Sequence, residues 1–354
     1  MSEANVSESR PKRRWWKWLL GLLVLGGVGL AGGYYLVRYV PNTEGFEGER
    51  GVKIPRGADF AQAADSLEAA GLLDSRRLFE FVGYATGWAQ QVKAGYYEFE
   101  DGASTFDLLD RIRKGLVTPL RFTVPPGTRP GVIAALARRD LDVDSTAFRE
   151  ALRDPELLAD LGTDEENVFG YMLPNTYQVY WGTSAEEVVR RLKREFDRYM
   201  NTERKAKAEA LNLTPEEVVR MAAIVEWEAR HDDEKARIAG VYLNRLDIGM
   251  RLQADPTVQY ALMQQDGGRM RRLLFRDYEV DHPYNTYRRN GLPPGAINNP
   301  SPTAIDAVLN SEDHAYLYFV ADGTGRHRFS RTLREHNNAA NAYRRLMRER
   351  RRNG

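Results

Sequence analysis

The chain contains no cysteine among its 354 residues. This absence excludes a disulfide framework, thiolate metal sites and a cysteine nucleophile. Neither sign of charge is in excess, because 51 lysines and arginines stand against 50 aspartates and glutamates. A net charge of +1 gives no global attraction to nucleic acid, and no nucleic-acid partner is predicted.

Histidine is also scarce. The five histidines form no His-Glu-x-x-His pattern or other zinc-ligand spacing. The sequence has no Gly-x-Ser-x-Gly elbow, phosphate-binding loop or dinucleotide fingerprint. These absences leave chemistry carried by carboxylates as the main possibility for an enzyme.

Only one apolar run is long enough to cross a membrane. Leu19–Val37 carries no charge, and as a helix it would span roughly 28 Å, close to the hydrocarbon thickness of a bilayer. We therefore predict a single transmembrane anchor over residues 19–40. A cleaved signal peptide is the alternative, but the small-residue site Ala31-Gly32-Gly33 lies within the apolar run and not after it.

The charges that flank the anchor predict its orientation. Five basic residues precede it, namely Arg10, Lys12, Arg13, Arg14 and Lys17. The positive-inside rule then makes residues 1–18 a basic cytoplasmic N-terminus. The rest of the chain is expected outside the cell (inner) membrane, in the periplasm or facing the wall.

The part after the anchor is predicted to be α+β. Val52–Leu73 and Phe122–Leu141 each read as a strand, a Pro-x-Gly turn and an amphipathic helix. A small α+β module is expected over residues 44–118, with a strand in Ala94–Ser104 and a helix over Thr105–Lys114. A larger, mostly helical α+β domain follows over residues 120–345, and residues 346–354 form a basic C-terminal tail.

One predicted helix carries two carboxylates after an apolar run. Thr214 and Glu217 form a capping box that begins the helix. At 100° per residue, Glu226 shares its side with Ala222, Ala223 and Arg230, and Glu228 points the opposite way. Small apolar neighbours would withdraw water from Glu226 and favour a carboxylic acid that gives and retakes a proton. A glutamate paired with Arg230 on a solvated face is the equally plausible alternative.

A set of motifs in one order resembles the membrane-anchored endolytic murein transglycosylases, the MltG/YceG-like family. The motifs lie within Val218–Asn337, and this chain departs from the family pattern upstream, with Phe169 for a glutamate and Asn175 for an aspartate. The resemblance implies a LysM-like module over residues 44–118 and a YceG-like catalytic domain over residues 120–345. The matching segments are "AAIVEWEA", "VYLNRLDIGMRLQADPTVQYAL", "YNTYRRNGLPPGAINNPS", "AYLYFVAD" and "HRFSRTLREHN".

Position by position, the resemblance implies a site. Glu226 corresponds to the catalytic glutamate, and Glu228 matches a second, supporting acidic position. Asp255 also has a local explanation as the N-cap of a helix over Pro256–Met263, and Asn285 one as turn chemistry. The other positions expected around a glycan cleft are Gln253, Asp255, Tyr284, Asn285, Thr286 and Tyr287.

The implied activity is cleavage of the β-1,4 bond between N-acetylmuramic acid and N-acetylglucosamine in nascent glycan strands, which limits strand length. One acid suffices because the muramic C6 hydroxyl closes a 1,6-anhydro ring, and neither a metal nor a cofactor is needed. The implied partners are peptidoglycan strands, the membrane and peptidoglycan synthases. Two alternatives remain open, a non-catalytic wall-binding scaffold for synthesis enzymes and a lysozyme-like hydrolase that leaves reducing ends.

Overall fold

A computed structural model describes residues 15–43, 45–267 and 271–353. They divide into two compact units between Pro119 and Leu120. Arg10, Lys12, Arg13 and Arg14, on which the predicted orientation depends, lie outside the described residues, so that orientation stays a prediction.

The first unit begins with one long apolar helix. Helix α1 is long and apolar enough to cross a membrane, and none of its side chains is buried within the protein. It starts at Trp15, four positions before the predicted anchor. The predicted strand in Ala94–Ser104 and the helix over Thr105–Lys114, capped by Ser104, are both confirmed. The elements are α1 (Trp15–Tyr39), β1 (Glu49–Ile54), α2 (Phe60–Ala69), α3 (Arg76–Ala85), a 3₁₀ turn (Trp88–Gln91), β2 (Gly95–Glu100) and α4 (Thr105–Lys114).

Strands β1 and β2 form an antiparallel pair in which Val52 lies opposite Tyr97. Alternate residues of β2 are buried, as expected for a strand with one face on a core. Helices α2, α3 and α4 bury apolar side chains in the same core, among them Leu67, Phe79 and Leu108. The first unit is therefore a small α+β module, as predicted.

The second unit is mostly helical and contains two antiparallel strand pairs, β3 with β4 and β5 with β6. Its last helix, α14, reaches Asn353, so the predicted basic tail continues this helix as far as the described residues go. The elements are β3 (Leu120–Val124), α5 (Pro130–Leu141), α6 (Ser145–Ala151), α7 (Pro155–Asp160), 3₁₀ (Val168–Tyr171), β4 (Asn175–Val179), α8 (Ala185–Tyr199), α9 (Thr202–Ala210), α10 (Pro215–Glu228), α11 (Asp232–Asp247), α12 (Asp255–Asp266), 3₁₀ (Phe275–Glu279), α13 (Pro302–Leu309), β5 (Tyr318–Ala321), β6 (His327–Ser330) and α14 (Leu333–Asn353).

Helix α10 is the central element of this unit. The predicted capping box between Thr214 and Glu217 is confirmed. From Val218 to Val225 every residue except Arg220 is buried, because α11, α12 and α13 pack around the helix. Two of the helix's glutamates, Glu226 and Glu228, follow this run at the C-terminal end, where the helix leaves the core.

Candidate active site

Glu226 belongs to a nearly buried ion pair. Its side chain is 11% exposed, and its Oε2 atom accepts a 3.0 Å hydrogen bond from the Lys235 ammonium. The same oxygen accepts hydrogen bonds from the backbone N–H and the hydroxyl of Ser301, which caps α13. All three contacts are made by one oxygen of the carboxyl group, and they connect Glu226 to Lys235 and Ser301.

The partner of this ion pair differs from the one that the sequence suggested. Lys235 is 5% exposed and also bonds Thr303 and Asp232. Arg230, the alternative partner considered from the sequence, makes no ion pair with any described residue. Because Lys235 lies on α11 and Ser301 begins α13, the contacts of Glu226 hold three helices together. They give Glu226 a structural part, and its role as the proton donor stays a prediction.

Glu228 has a different environment on the other side of α10. Its Oε1 atom accepts a 2.9 Å hydrogen bond from the hydroxyl of Tyr242, a buried residue of α11. Burial of the carboxyl group, followed by the negative charge of Asp255, raises the pKa of Glu228 to about 7. The hydrogen bond from Tyr242 and the charge of Arg245 act in the opposite direction but do not cancel the rise. Glu228 is therefore suited to exchange a proton near neutral pH.

Glu228 lines a cavity of about 440 Å³ in the second unit. Four of the eight predicted site residues meet at this cavity. Its walls combine aromatic rings, carboxylates and amides, which is the chemistry that sugar rings and N-acetyl groups bind. The lining residues are Glu228, Tyr242, Arg245, Gln253, Asp255, Tyr287, Tyr318, Phe319, Val320, Ala321, His327, Leu333 and His336.

Backbone strain and hydrogen bonds place Gln253, Asp255 and Tyr287 at this cavity. Gln253 has a φ of +48°, an uncommon conformation for a residue with a side chain and one that often marks functional positions. Asp255 is not an N-cap, because α12 is preceded by Ala254. Instead, its carboxylate accepts a 2.6 Å hydrogen bond from the Tyr287 hydroxyl. The local N-cap explanation of Asp255 was therefore wrong, and its side chain faces the cavity.

The remaining predicted residues lie away from this cavity. Asn285 is fully buried, and its amide donates to the carbonyls of Tyr278 and Val280. Thr286 is also buried, and its hydroxyl bonds Thr257 and the backbone N–H of Ala254. These two side chains shape the loop that carries Tyr287 and present no face to a ligand.

Tyr284 contributes to a separate cavity of about 530 Å³. Its ring lies 4.7 Å from that of Tyr260, and Phe169, one of the departures from the family pattern, lines the same cavity. Asn175, the other departure, is exposed at the start of β4, where its side chain accepts from the N–H of Thr176. Neither Phe169 nor Asn175 lies at the cavity of Glu228.

Comparison with known proteins decides the family. The model of the YceG-like family matches residues 52–342. The chain belongs to the YceG-like family. A YceG-like protein of Listeria monocytogenes of known structure is 30% identical, with a TM-score of 0.56, and the match covers 82% of this chain and 98% of that one.

Curated relatives carry the name endolytic murein transglycosylase. The protein of that name from Bacillus subtilis is 29% identical over 308 residues, which cover 82% of this chain and 84% of the relative. The one from Streptococcus pneumoniae is 28% identical over 343 residues. That match covers 86% of this chain but only 61% of the pneumococcal protein, so the chain spans less than two thirds of that relative's length.

This YceG-like chain brings residues to the cavity that the sequence interpretation missed. Tyr242 and Arg245 lie on α11 within "VYLNRL", and the Arg245 guanidinium donates to the carbonyls of Leu317 and Leu252. Burial, with Arg245 and Arg344 nearby, lowers the pKa of His336, which keeps this imidazole neutral at pH 7. In the sequence, Tyr242, Arg245 and His336 are marked only by their places in the family motifs. Their spacing from Glu228 shows no local period. Among the described residues, no group of three or more His, Asp and Glu side chains could hold a metal ion.

Proposed function

We propose that this protein is a membrane-anchored lytic transglycosylase of peptidoglycan in which Glu228 is the general acid and base. The enzyme class follows from membership of the YceG-like family and from the name that its curated relatives carry. The observation that carries the assignment of the acid is the raised pKa of Glu228, about 7, on the wall of a cavity. A binding scaffold would have no need for a carboxyl group held in this state.

The proposed reaction needs a single carboxyl group. Protonated Glu228 gives its proton to the leaving oxygen of the β-1,4 bond between N-acetylmuramic acid and N-acetylglucosamine, while positive charge develops at C1 of the muramic sugar. The carboxylate then takes the proton of the C6 hydroxyl as that oxygen attacks C1 and closes the 1,6-anhydro ring. Ordinary glycosidases need a second carboxylate to place water or a nucleophile, and this substrate supplies its own.

Neighbouring side chains have defined parts in this proposal. The Tyr242 hydroxyl fixes the orientation of the Glu228 carboxyl group through their 2.9 Å bond. Asp255 keeps the proton on Glu228 before the reaction and stabilises the positive charge that develops in the transition state. Tyr287 holds Asp255 in place by its hydrogen bond and offers an aromatic face to the sugar.

The location of the reaction follows from helix α1. A single apolar helix that can cross a membrane supports an anchor that keeps the catalytic part close to the membrane. With the N-terminus in the cytoplasm, the second unit lies on the wall side of the membrane, where nascent strands emerge and peptidoglycan synthases work. We propose that cleavage there limits strand length and that the module over residues 44–118 is LysM-like.

Replacement of each glutamate by glutamine tests the proposal. For the full chain purified in detergent, we expect fragments with 1,6-anhydro ends by mass spectrometry. Glu228→Gln removes the exchangeable proton and is expected to lower turnover by about 10²- to 10⁴-fold. The matched variant Glu226→Gln is expected to keep turnover within a few-fold but to unfold more easily, because it weakens the buried ion pair with Lys235.

The alternatives give different results in the same experiment. Loss of turnover in Glu226→Gln, with Glu228→Gln active, would return the acid to the position that the sequence indicated. Reducing ends in place of anhydro ends would make the enzyme a hydrolase. Binding to sacculi without any release by the wild type would favour the scaffold.

A further inference from the structure

A second cavity meets the first at Glu228. It has a volume of about 250 Å³ and shares Glu228, Ala321 and His327 with the larger cavity. Its other side is formed by Arg230, the turn between β5 and β6, and one face of α14. The proposed acid therefore lies where two cavities join, and a glycan chain that passes Glu228 has space on both sides of the cleaved bond.

The second cavity is basic. It is lined by the exposed side chains of Arg230 and Arg326. Within the described part of the chain, Arg230 forms neither a hydrogen bond nor an ion pair. Arg326 contacts Asp233 at 2.8 Å, but these side chains are 46% and 64% exposed, so water screens the pair and an incoming anion can compete with it.

The cavity of about 440 Å³ also contains an arginine, Arg245, whose hydrogen bonds differ from those of Arg230 and Arg326. The Arg245 guanidinium donates hydrogen bonds to the backbone carbonyls of Leu317 and Leu252, which hold it in the fold. The carboxylate of Asp255 faces the same space. In the second cavity, by contrast, the guanidinium of Arg230 has no bonded partner among the described residues.

The turn between β5 and β6 fixes this arrangement. Gly323 and Gly325 have φ values of +91° and +97°, which only glycine adopts without strain. A Cβ atom at Gly325 would lie 3.9 Å from Arg230 Nη1, so this guanidinium rests against the turn. On the other side, Arg350 of α14 donates a 2.7 Å hydrogen bond to the carbonyl of Gly323.

We propose that the second cavity is a subsite for a carboxylate carried by the muramic acid residue next to the cleaved bond. Guanidinium groups bind carboxylates through charge-assisted, often bidentate hydrogen bonds. The sugar rings of peptidoglycan are uncharged, and its carboxylates belong to the lactyl side chain or to the stem peptide attached there. This inference rests on the proposed function, and it makes Arg230 and Arg326 determinants of which strands are cleaved.

Three soluble substrates test the subsite: peptide-bearing strands, the same strands with their carboxyl groups converted to methylamides, and strands stripped of peptide by an amidase. We expect the wild type to show a KM about 10-fold higher on the amidated strands, with kcat within a few-fold. The double variant Arg230→Gln/Arg326→Gln is expected to lose this difference. The control Arg198→Gln removes an exposed, paired arginine of α8 and is expected to behave as wild type.

The stripped strands identify the source of the carboxylate. The lactyl carboxyl group is free only in the stripped strands, because in the other two substrates it forms the amide bond to the peptide. A KM that is low on the stripped strands alone assigns recognition to the lactyl group, and a KM as high as on the amidated strands assigns it to the stem peptide. Equal KM values of the wild type on all three substrates, or an unchanged preference in the double variant, would overturn the subsite. Absence of anhydro products from all three substrates would instead contradict the proposed function, so the two failures are distinguishable.

Discussion

Two glutamates that are two positions apart in the sequence have opposite electrostatic environments. Glu226 faces the ammonium of Lys235, whereas the partly buried Glu228 lies near the carboxylate of Asp255. Burial and like charge disfavour the ionised form of Glu228, and they do so without blocking the cavity in front of it. Which of the two glutamates is suited to proton transfer therefore depends on Lys235 of α11 and Asp255 of α12.

The raised pKa of Glu228 predicts a pH dependence. The reaction needs its protonated form, so kcat/KM should fall about tenfold per pH unit above pH 7. Asp255→Asn removes a charge that raises this pKa, and the fall should then begin at lower pH. A pH–rate profile of both proteins measures the shift.

A matched charge removal controls for long-range effects. Asp281 is exposed and pairs with Arg289, and Asp281→Asn should leave the alkaline limb of the profile where it is. An unchanged limb in Asp255→Asn would contradict the electrostatic assignment. A limb that moves equally in both variants would point to net charge as the cause.

The sequence was sufficient to find the helix that carries the proposed acid but not to distinguish the environments of Glu226 and Glu228. Periodicity gives the direction of each side chain, and it placed Glu226 beside Ala222 and Ala223. Those small residues are fully buried in the hydrophobic core of the second unit. Lys235 and Asp255 could be placed only by the tertiary fold, because ion pairing across helices leaves no local pattern.

At the scale of elements, the segment "GLPPGAI" is constrained by packing as well as by turn chemistry. A Cβ atom at Gly295 would lie 2.2 Å from the backbone carbonyl oxygen of Glu166, which cannot move as a side chain end could. The same segment leads to Asn298 and Asn299, whose amides donate to the carbonyls of Ala223 and Met172. A displacement of this segment would therefore disturb α10, because Asn298 is hydrogen-bonded to Ala223 of that helix.

We predict that Gly295→Ala destabilises the second unit by about 1–3 kcal/mol, because overpacking forces the segment away from Glu166. Gly131→Ala is the control: a Cβ there meets nothing within 4 Å, and alanine is the better helix former in α5. Chemical denaturation followed by circular dichroism gives the free energies of unfolding. Equal stability of the two variants would show that the segment relaxes freely.

Strand pairing illustrates why elements were predicted better than their contacts. The strand in Phe122–Leu141 was expected from its alternation and its Pro-x-Gly turn, and β3 confirms it. Its partner β4 pairs Phe122 with Tyr177, whose ring is buried and whose hydroxyl donates to the carbonyl of Leu173. Such non-local pairing depends on complementary surfaces that form only in the folded chain, and no period in one sequence encodes it.

At the scale of the whole molecule, the apolar helix and the small module were both predictable because their signals are local. Aromatic residues lie near the two ends of α1, where Trp15 and Tyr39 are exposed, and such residues are typical of membrane interfaces. The boundary between the helix and the module was less predictable. It depends on Asn42 and Thr43, two buried polar residues that bond the module and follow no sequence period.

A pair of truncations tests where the helix can be removed. Asn42 is 1% exposed; its amide donates to Thr105 at 3.0 Å, and its side-chain oxygen accepts from the N–H of Ser75 at 2.6 Å. A chain that starts at Pro41 should be soluble without detergent and keep the melting temperature of the full-length module. A chain that starts at Gly45 lacks these bonds and leaves buried polar groups unsatisfied, which should cost the module about 2–4 kcal/mol. Scanning calorimetry of the two chains measures the difference.

Equal melting temperatures would contradict the structural role of Asn42. A need for detergent in the chain from Pro41 would show that α1 is not the sole membrane-binding segment.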